Sequence, residues 1–119
     1  MKKLNKTLDD CTLCGLCKTN CPIFKATKLE TKSARGRAIL LKNKKLDDII
    51  HQCTLCNSCK IECPEEIDLP GEIRKAREES IKKGKETQAN KKMIENIRKH
   101  GNPFGRQEKG KIPKDLYCC

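Results

Sequence analysis

The same twelve-residue cysteine pattern occurs twice in this sequence. The first copy runs from Cys11 to Pro22 and the second, 42 residues further on, runs from Cys53 to Pro64. Eight of the twelve aligned positions are identical, and both copies read Cys-x2-Cys-x2-Cys-x3-Cys-Pro. A repeat of this regularity indicates that both segments bind the same kind of group, and no other feature of the chain constrains its fold as strongly.

The distribution of the cysteines favours metal binding over a disulfide framework. The chain has ten cysteines, and eight of them lie in the two tight runs, whereas disulfide frameworks usually scatter their cysteines. The N-terminal residues contain lysines and lead into Asp9 and Asp10 rather than into the apolar stretch of a signal peptide. We therefore expect thiolates bound to metal in a reducing, cytoplasmic environment.

The apolar composition is low for a folded domain. Leu, Ile and Phe number 24 residues, Val and Trp are absent, and 36% of the chain is charged. This composition is close to that of disordered chains, and the core that it can form is small. Metal binding is therefore expected to supply part of the folding free energy.

The spacing predicts two [4Fe–4S] clusters. Cysteines at i, i+3 and i+6 let one loop surround a cubic cluster and offer three of its ligands. In two-cluster ferredoxins the cysteine that follows such a triplet binds the other cluster, which gives a crossed ligand set. The predicted ligands are Cys11, Cys14, Cys17 and Cys63 for the first cluster, and Cys53, Cys56, Cys59 and Cys21 for the second. The crossed pattern would tie the two copies together.

The rest of the chain is predicted to be mostly helical, with no convincing strand. Residues 1–100 are predicted to form the dicluster domain, and residues 101–119, rich in glycine and proline, an extended C-terminal arm. Four helices are expected: one capped by Ser33 and running to Lys42, a short one through Leu46 and Ile50, one from Pro70 to Gly84, and one from about Thr87 to His100.

The sequence resembles the small iron–sulfur subunit of heterodisulfide reductases. It is also similar to the ferredoxin-like region of the iron–sulfur subunits of glycolate oxidase and anaerobic glycerol-3-phosphate dehydrogenase. The likeness covers about residues 7–105. It is carried by the cysteine runs, by Ser-Ala-Arg-Gly-Arg at 33–37 and by Asn-Pro-Phe-Gly at 102–105. The family usually has Ser-Pro-Arg-Gly-Arg at the first of these motifs, so Ala34 is a departure.

This resemblance implies the α-helical ferredoxin fold and a role as an electron-transfer subunit. The expected partners are redox proteins, namely a cysteine-rich catalytic subunit with Cys-Cys-Gly signatures, a flavoprotein subunit, or both. We expect no catalytic site in the chain itself, because neither His51 nor His100 belongs to an acid–base or nucleophilic constellation. Cys118 and Cys119 stand where larger relatives begin a cysteine-rich domain, and they are not counted as cluster ligands.

The net charge of +11 leaves a second class of function open. A basic module that binds zinc or a structural cluster and recognises nucleic acid would share this charge. Against it, tetrahedral zinc leaves one cysteine of each triplet spare, and Tyr117 and two Phe are the only aromatic residues available to stack on bases. We therefore expect no nucleic-acid partner. No apolar run is long enough to cross a bilayer, so membrane association is expected only through a partner.

Arg35 and Arg37 lie between the two cysteine runs, and three roles are open to them. They would either pack against the cluster-binding loops, dock an acidic partner, or form part of a solvated face.

Overall fold

The computed structural model describes residues 6–112, which form α-helices and 3₁₀ helices and contain no strand. The predicted mostly helical class is therefore confirmed for this part of the chain. The fold divides into an N-terminal unit, Met1–Ser80, and a C-terminal unit, Ile81–Cys119. The predicted division into residues 1–100 and 101–119 stays a prediction, and Cys118 and Cys119 lie outside the described residues.

Short helices separated by turns make up most of the N-terminal unit. Its 3₁₀ helices are Leu8–Asp10, Leu16–Lys18, Glu30–Lys32 and Asp48–Gln52. The α-helices of the described chain are α1 (Pro22–Thr27), α2 (Ala34–Lys42), α3 (Ser58–Ile61), α4 (Leu69–Lys82) and α5 (Gln88–His100). The helix expected through Leu46 and Ile50 is therefore the 3₁₀ helix Asp48–Gln52, and α1 and α3 were not predicted.

The predicted helix ends are confirmed where a side chain or a glycine caps them. Ser33 precedes α2, and its Oγ accepts a hydrogen bond from the Gly36 amide at 3.0 Å. Thr87 precedes α5 and accepts from the Asn90 amide at 3.3 Å. Gly101 ends α5 with a φ of 71°, a left-handed conformation that suits glycine.

The apolar core of the N-terminal unit is small, as its composition predicted. It contains two alanines from α2 and Leu69 and Ile73 from α4, and the remaining members of the cluster are Cys21 and Cys59. Two cysteines of the repeat are thus part of the packed interior. The cysteine loops and the core are therefore one structure, and the stability of each depends on the other.

In the C-terminal unit, the segment after α5 folds back on the helix. The buried Asn96 donates from Nδ2 to the Pro103 carbonyl at 2.9 Å, and a Cβ on Gly105 would lie 3.1 Å from Asn96 Oδ1. The Asn102 side chain accepts from the Phe104 amide at 2.9 Å. The Asn-Pro-Phe-Gly motif is therefore a turn against α5. None of the helices described here is both long and apolar enough to cross a membrane.

Candidate metal centre

Two cavities in the N-terminal unit are each lined by four cysteines. They have similar volumes, about 340 Å³ and 350 Å³ including the space at their mouths. The cysteines of the first cavity are Cys11, Cys14, Cys17 and Cys63, and those of the second are Cys21, Cys53, Cys56 and Cys59. Each cavity thus combines the triplet of one run with the last cysteine of the other run. All eight are free thiols rather than disulfides.

The two triplet loops have the same backbone conformation. Leu13 and Leu55 both lie in the left-handed region, with φ of 58° and 55°. Two residues further on, Gly15 has a φ of 87° and Asn57 a φ of 65°. A left-handed conformation costs an L-residue roughly 1–2 kcal/mol, and such strain is typical of functional sites. The repeat in the sequence is therefore also a repeat in the backbone.

The last cysteine of the first run is held by the start of a helix. Cys21 is the N-cap of α1, and Pro22 occupies the first position of that helix, where its missing N–H costs nothing.

The two triplets lie next to each other. The helix α3, which contains Cys59, contacts the 3₁₀ helix Leu16–Lys18, which contains Cys17.

A cationic side chain holds the beginning of each run by binding backbone carbonyls. Lys42 Nζ donates to the carbonyl of Cys11 at 2.9 Å, and Arg77 donates to the carbonyls of Ile50, His51 and Cys53. We did not identify these residues from the sequence. They lie on amphipathic helices among many other lysines and arginines, and no local pattern distinguishes them.

The comparison with known protein families agrees with this geometry. A family described as "4Fe-4S dicluster domain" matches residues 7–67, about half of the chain. The chain belongs to this dicluster family. No curated protein matches the sequence. Membership supports an iron–sulfur, ferredoxin-like protein with an electron-transfer role, as the sequence predicted. The match does not test the resemblance to subunits of heterodisulfide reductase or glycolate oxidase, which stays a prediction.

The cysteine sets of this dicluster domain suit a group larger than a single ion. No three His, Cys, Asp or Glu side chains among residues 6–112 form a group that could hold one metal ion. The cysteines instead surround the two cavities, and four thiolates are the usual donor set of a [4Fe–4S] cluster.

The electrostatics of the dicluster domain disfavour free thiolates at Cys17 and Cys59. Burial, together with the nearby charges of Cys11, Cys14 and Cys63, raises the pKa of the Cys17 thiol to about 11. Burial likewise raises the pKa of Cys59 to about 12, with Cys53 and Cys17 among the contributing charges. These thiols ionise readily only when a metal centre compensates the charge, so metal binding must release protons here.

At Cys56, the exposed middle cysteine of the second triplet, the environment has the opposite effect. A hydrogen bond with Ser58 lowers the pKa of the Cys56 thiol, whose Sγ lies 3.4 Å from Ser58 Oγ. Cys56 therefore deprotonates more readily than an ordinary cysteine thiol, which suits a metal ligand.

The two arginines between the runs lie at the cavities. Arg35 lines the first cavity and Arg37 the second. Arg37 is 1% exposed, so it is not part of a solvated face. The sequence left three roles open for these arginines. The buried position of Arg37 beside the second cavity fits packing against the cysteine loops.

Proposed function

We propose that this chain is an electron-transfer subunit of a multi-subunit oxidoreductase, of the heterodisulfide reductase or 2-hydroxy-acid dehydrogenase kind. In this role it relays single electrons between a redox donor and a catalytic subunit. The observation that carries the proposal is the composition of the two cavities, in which three cysteines of one run meet the fourth cysteine of the other. Two redox sites close together in one chain are what an electron relay requires.

The ligands proposed for the first cluster are Cys11, Cys14, Cys17 and Cys63, and those for the second are Cys53, Cys56, Cys59 and Cys21. When bound, the two [4Fe–4S] clusters supply one-electron redox chemistry. The protein's own contribution is to hold four sulfurs around each cavity and to keep water from the inner ones, since Cys21 and Cys59 are buried. The contact between α3 and Leu16–Lys18 supports a short path from one site to the other.

The proposed partners are a cysteine-rich catalytic subunit, a flavoprotein subunit, or both. Apolar side chains beside the cysteine triplets support a protein partner, because Leu16 is 53% exposed and Ile61 is 79% exposed. Each lies next to a cysteine of the repeat or two residues from it. Subunit contact at these positions would bring a partner's redox centre close to the clusters. A cytoplasmic location is part of the same proposal.

The deciding experiment is metal analysis of the protein purified without oxygen. We expect about eight irons and about eight acid-labile sulfides per chain, and a broad visible absorption that dithionite bleaches. Anaerobic co-purification then identifies the redox partner. Zinc without visible absorption would overturn the proposal and favour the basic nucleic-acid-binding alternative, for which salt-sensitive oligonucleotide binding is the test.

A further inference from the structure

We infer that Arg35 and Arg37 each donate a hydrogen bond to a different one of the two clusters and thereby raise its reduction potential. The inference rests on the proposed function, since it requires both clusters to be bound. It concerns two positioning residues that tune electron transfer and do not themselves ligate iron.

The placement of the two arginines follows from helix geometry. Residues i and i+2 of an α-helix are separated by about 200° around its axis, because each residue turns the helix by about 100°. Arg35 and Arg37 therefore leave α2 on nearly opposite sides, and they line different cavities. Ala34, which shares the i, i+3 face with Arg37, lines the second cavity as well. The helix thus contributes one arginine to the lining of each cavity.

Arg37 lacks a full set of partners in the described part of the protein. Its Nε donates to the Ile49 carbonyl at 3.2 Å, which orients the guanidinium, but its buried Nη2 has no hydrogen-bond acceptor among residues 6–112. Burying an N–H group without an acceptor costs about 1–3 kcal/mol, and more when the group is charged. Such an atom beside a cofactor cavity requires an acceptor from the cofactor.

The positive charge of Arg37 is a second reason to expect the bound cluster as its partner. A guanidinium stays protonated, and a buried charge needs a counter-charge. None of the residues that line the second cavity is acidic, and its anionic candidates are the four cysteine thiolates. A cluster with four thiolates carries a net charge of about −2. The sulfurs of the bound cluster therefore supply both the acceptor and the counter-charge that Arg37 lacks.

Arg35 has the corresponding place at the first cavity. Its Nε is buried without an acceptor in the described chain, although Nη1 lies 3.9 Å from Glu30 Oε1. A Cβ added to Gly15 would lie 3.5 Å from Arg35 Cδ, so the side chain passes over the first triplet loop. The arginine is more exposed than Arg37, and its influence on the cluster is expected to be smaller.

The effect on potential follows from charge. Reduction adds one electron from an external donor to a site that is already negative, with no bond broken and no proton required. A fixed cation and its N–H donors stabilise the more negative state more strongly, so they favour reduction. Hydrogen bonds to cluster sulfurs are one of the established means by which a protein sets such potentials.

The test compares the variants Arg35→Met and Arg37→Met with Arg74→Met. Arg74 lies exposed on α4 of the same unit and lines neither cysteine cavity, so its variant removes the same charge from a neutral position. Iron and sulfide are counted first, and the two potentials are then measured by titration with dithionite under electron paramagnetic resonance. We expect each cavity variant to lower the reduction potential of a different cluster. For Arg37→Met the expected change in the reduction equilibrium is about tenfold, which corresponds to a shift of about 59 mV for a one-electron couple.

The outcomes separate the inference from the proposed function. A wild-type protein without about eight irons would overturn the proposed function itself. Eight irons together with unshifted potentials in both cavity variants would overturn only the inference. If Arg37→Met does not fold, Arg37→Lys keeps the charge and removes the guanidinium donors. A lowered potential in Arg37→Lys then supports the inference, and an unshifted one contradicts it for this residue.

Discussion

Cys63 lies in the same cavity as Cys17, and its charge contributes to the raised pKa of the Cys17 thiol. The two residues come from different copies of the repeat. Neither copy therefore completes a four-cysteine site by itself, and the two cavities exist only when both copies are folded against each other. The same relationship holds in the second cavity between Cys21 and the triplet that includes Cys59.

This crossed arrangement predicts which cysteine variants behave alike. Cys63→Ser should damage the same cluster as Cys14→Ser, and Cys21→Ser the same cluster as Cys56→Ser, because each pair lines one cavity. Iron content and the electron paramagnetic resonance spectra of the four reduced variants provide the measurement. Spectra that instead pair Cys21→Ser with Cys14→Ser would show that each run binds its own cluster.

Gly36 should resist substitution by alanine, although alanine is normally the better helix former. Replacing a helical glycine by alanine usually stabilises by about 0.5–1 kcal/mol. At Gly36, however, a Cβ would lie 2.3 Å from the Glu30 carbonyl oxygen and 2.7 Å from that of Thr31, both on rigid backbone. We expect Gly36→Ala to lower the free energy of unfolding by about 1–3 kcal/mol, measured by urea denaturation of the holoprotein.

Gly71 is the matched control for this substitution. It also lies in a helix, but its added Cβ would meet the carboxylate of Asp68, which is the end of an exposed side chain and not backbone. That carboxylate can turn away at the cost of its hydrogen bond to the Gly71 amide, so Gly71→Ala should destabilise the protein less than Gly36→Ala. If Gly36→Ala and Gly71→Ala lowered the free energy of unfolding equally, α2 would not pack closely against the backbone of residues 30–31.

Ser33→Ala should destabilise the protein more than Thr87→Ala. Both residues cap a helix, and the loss of such a cap costs about 0.5–2 kcal/mol. Ser33 is fully buried and its hydroxyl also donates to the Glu30 carbonyl at 2.7 Å, so Ser33→Ala removes two hydrogen bonds and leaves the buried Gly36 amide without its acceptor. Thermal unfolding of the two holoproteins gives the comparison, and a larger effect at Thr87 would refute the special role of Ser33.

Arg77→Met should loosen the second cluster site selectively. The side chain donates to the Ile50 carbonyl at 2.9 and 3.0 Å and also binds the carbonyl of Cys53 at the start of the second triplet. Hydrogen bonds to a charged group contribute about 1.5–3 kcal/mol each, so we expect lower stability and faster iron loss from the second site. The rate of iron release to a chelator measures this, with Arg74→Met as the control. Equal release from both sites would argue against a local effect.

Removal of iron should unfold much of the N-terminal unit. Its main core cluster consists of two alanines, Leu69, Ile73 and two cysteines, and few apolar side chains besides Ile50 and Ile67 are buried outside it. This is too little apolar surface to hold the helices without the metal. We expect a chelator under reducing conditions to reduce the helical circular dichroism signal substantially. Reconstitution with iron and sulfide should restore it. An apoprotein with the full helical signal would show that the polypeptide is stable by itself.

The sequence determined the features that depend on short stretches of chain. The spacing within each run predicted iron–sulfur binding, and the caps at Ser33 and Thr87 and the glycine at 101 predicted the ends of two helices to within a residue. These signals are local because a cap binds an amide three residues away and a triplet loop surrounds its own cavity. The match of residues 7–67 to the dicluster family agrees with the iron–sulfur chemistry that the spacing predicted.

The tertiary structure alone decided how residues outside the cysteine runs support the site. Gly36 is required by a neighbouring backbone, Arg37 is buried beside a cavity, and Lys42 and Arg77 bind carbonyls of the cysteine runs. In the sequence these are one glycine and three cations in a chain that has 27 lysines and arginines. Their roles arise from which segment passes close to them in three dimensions, and no pattern of neighbouring residues encodes that proximity.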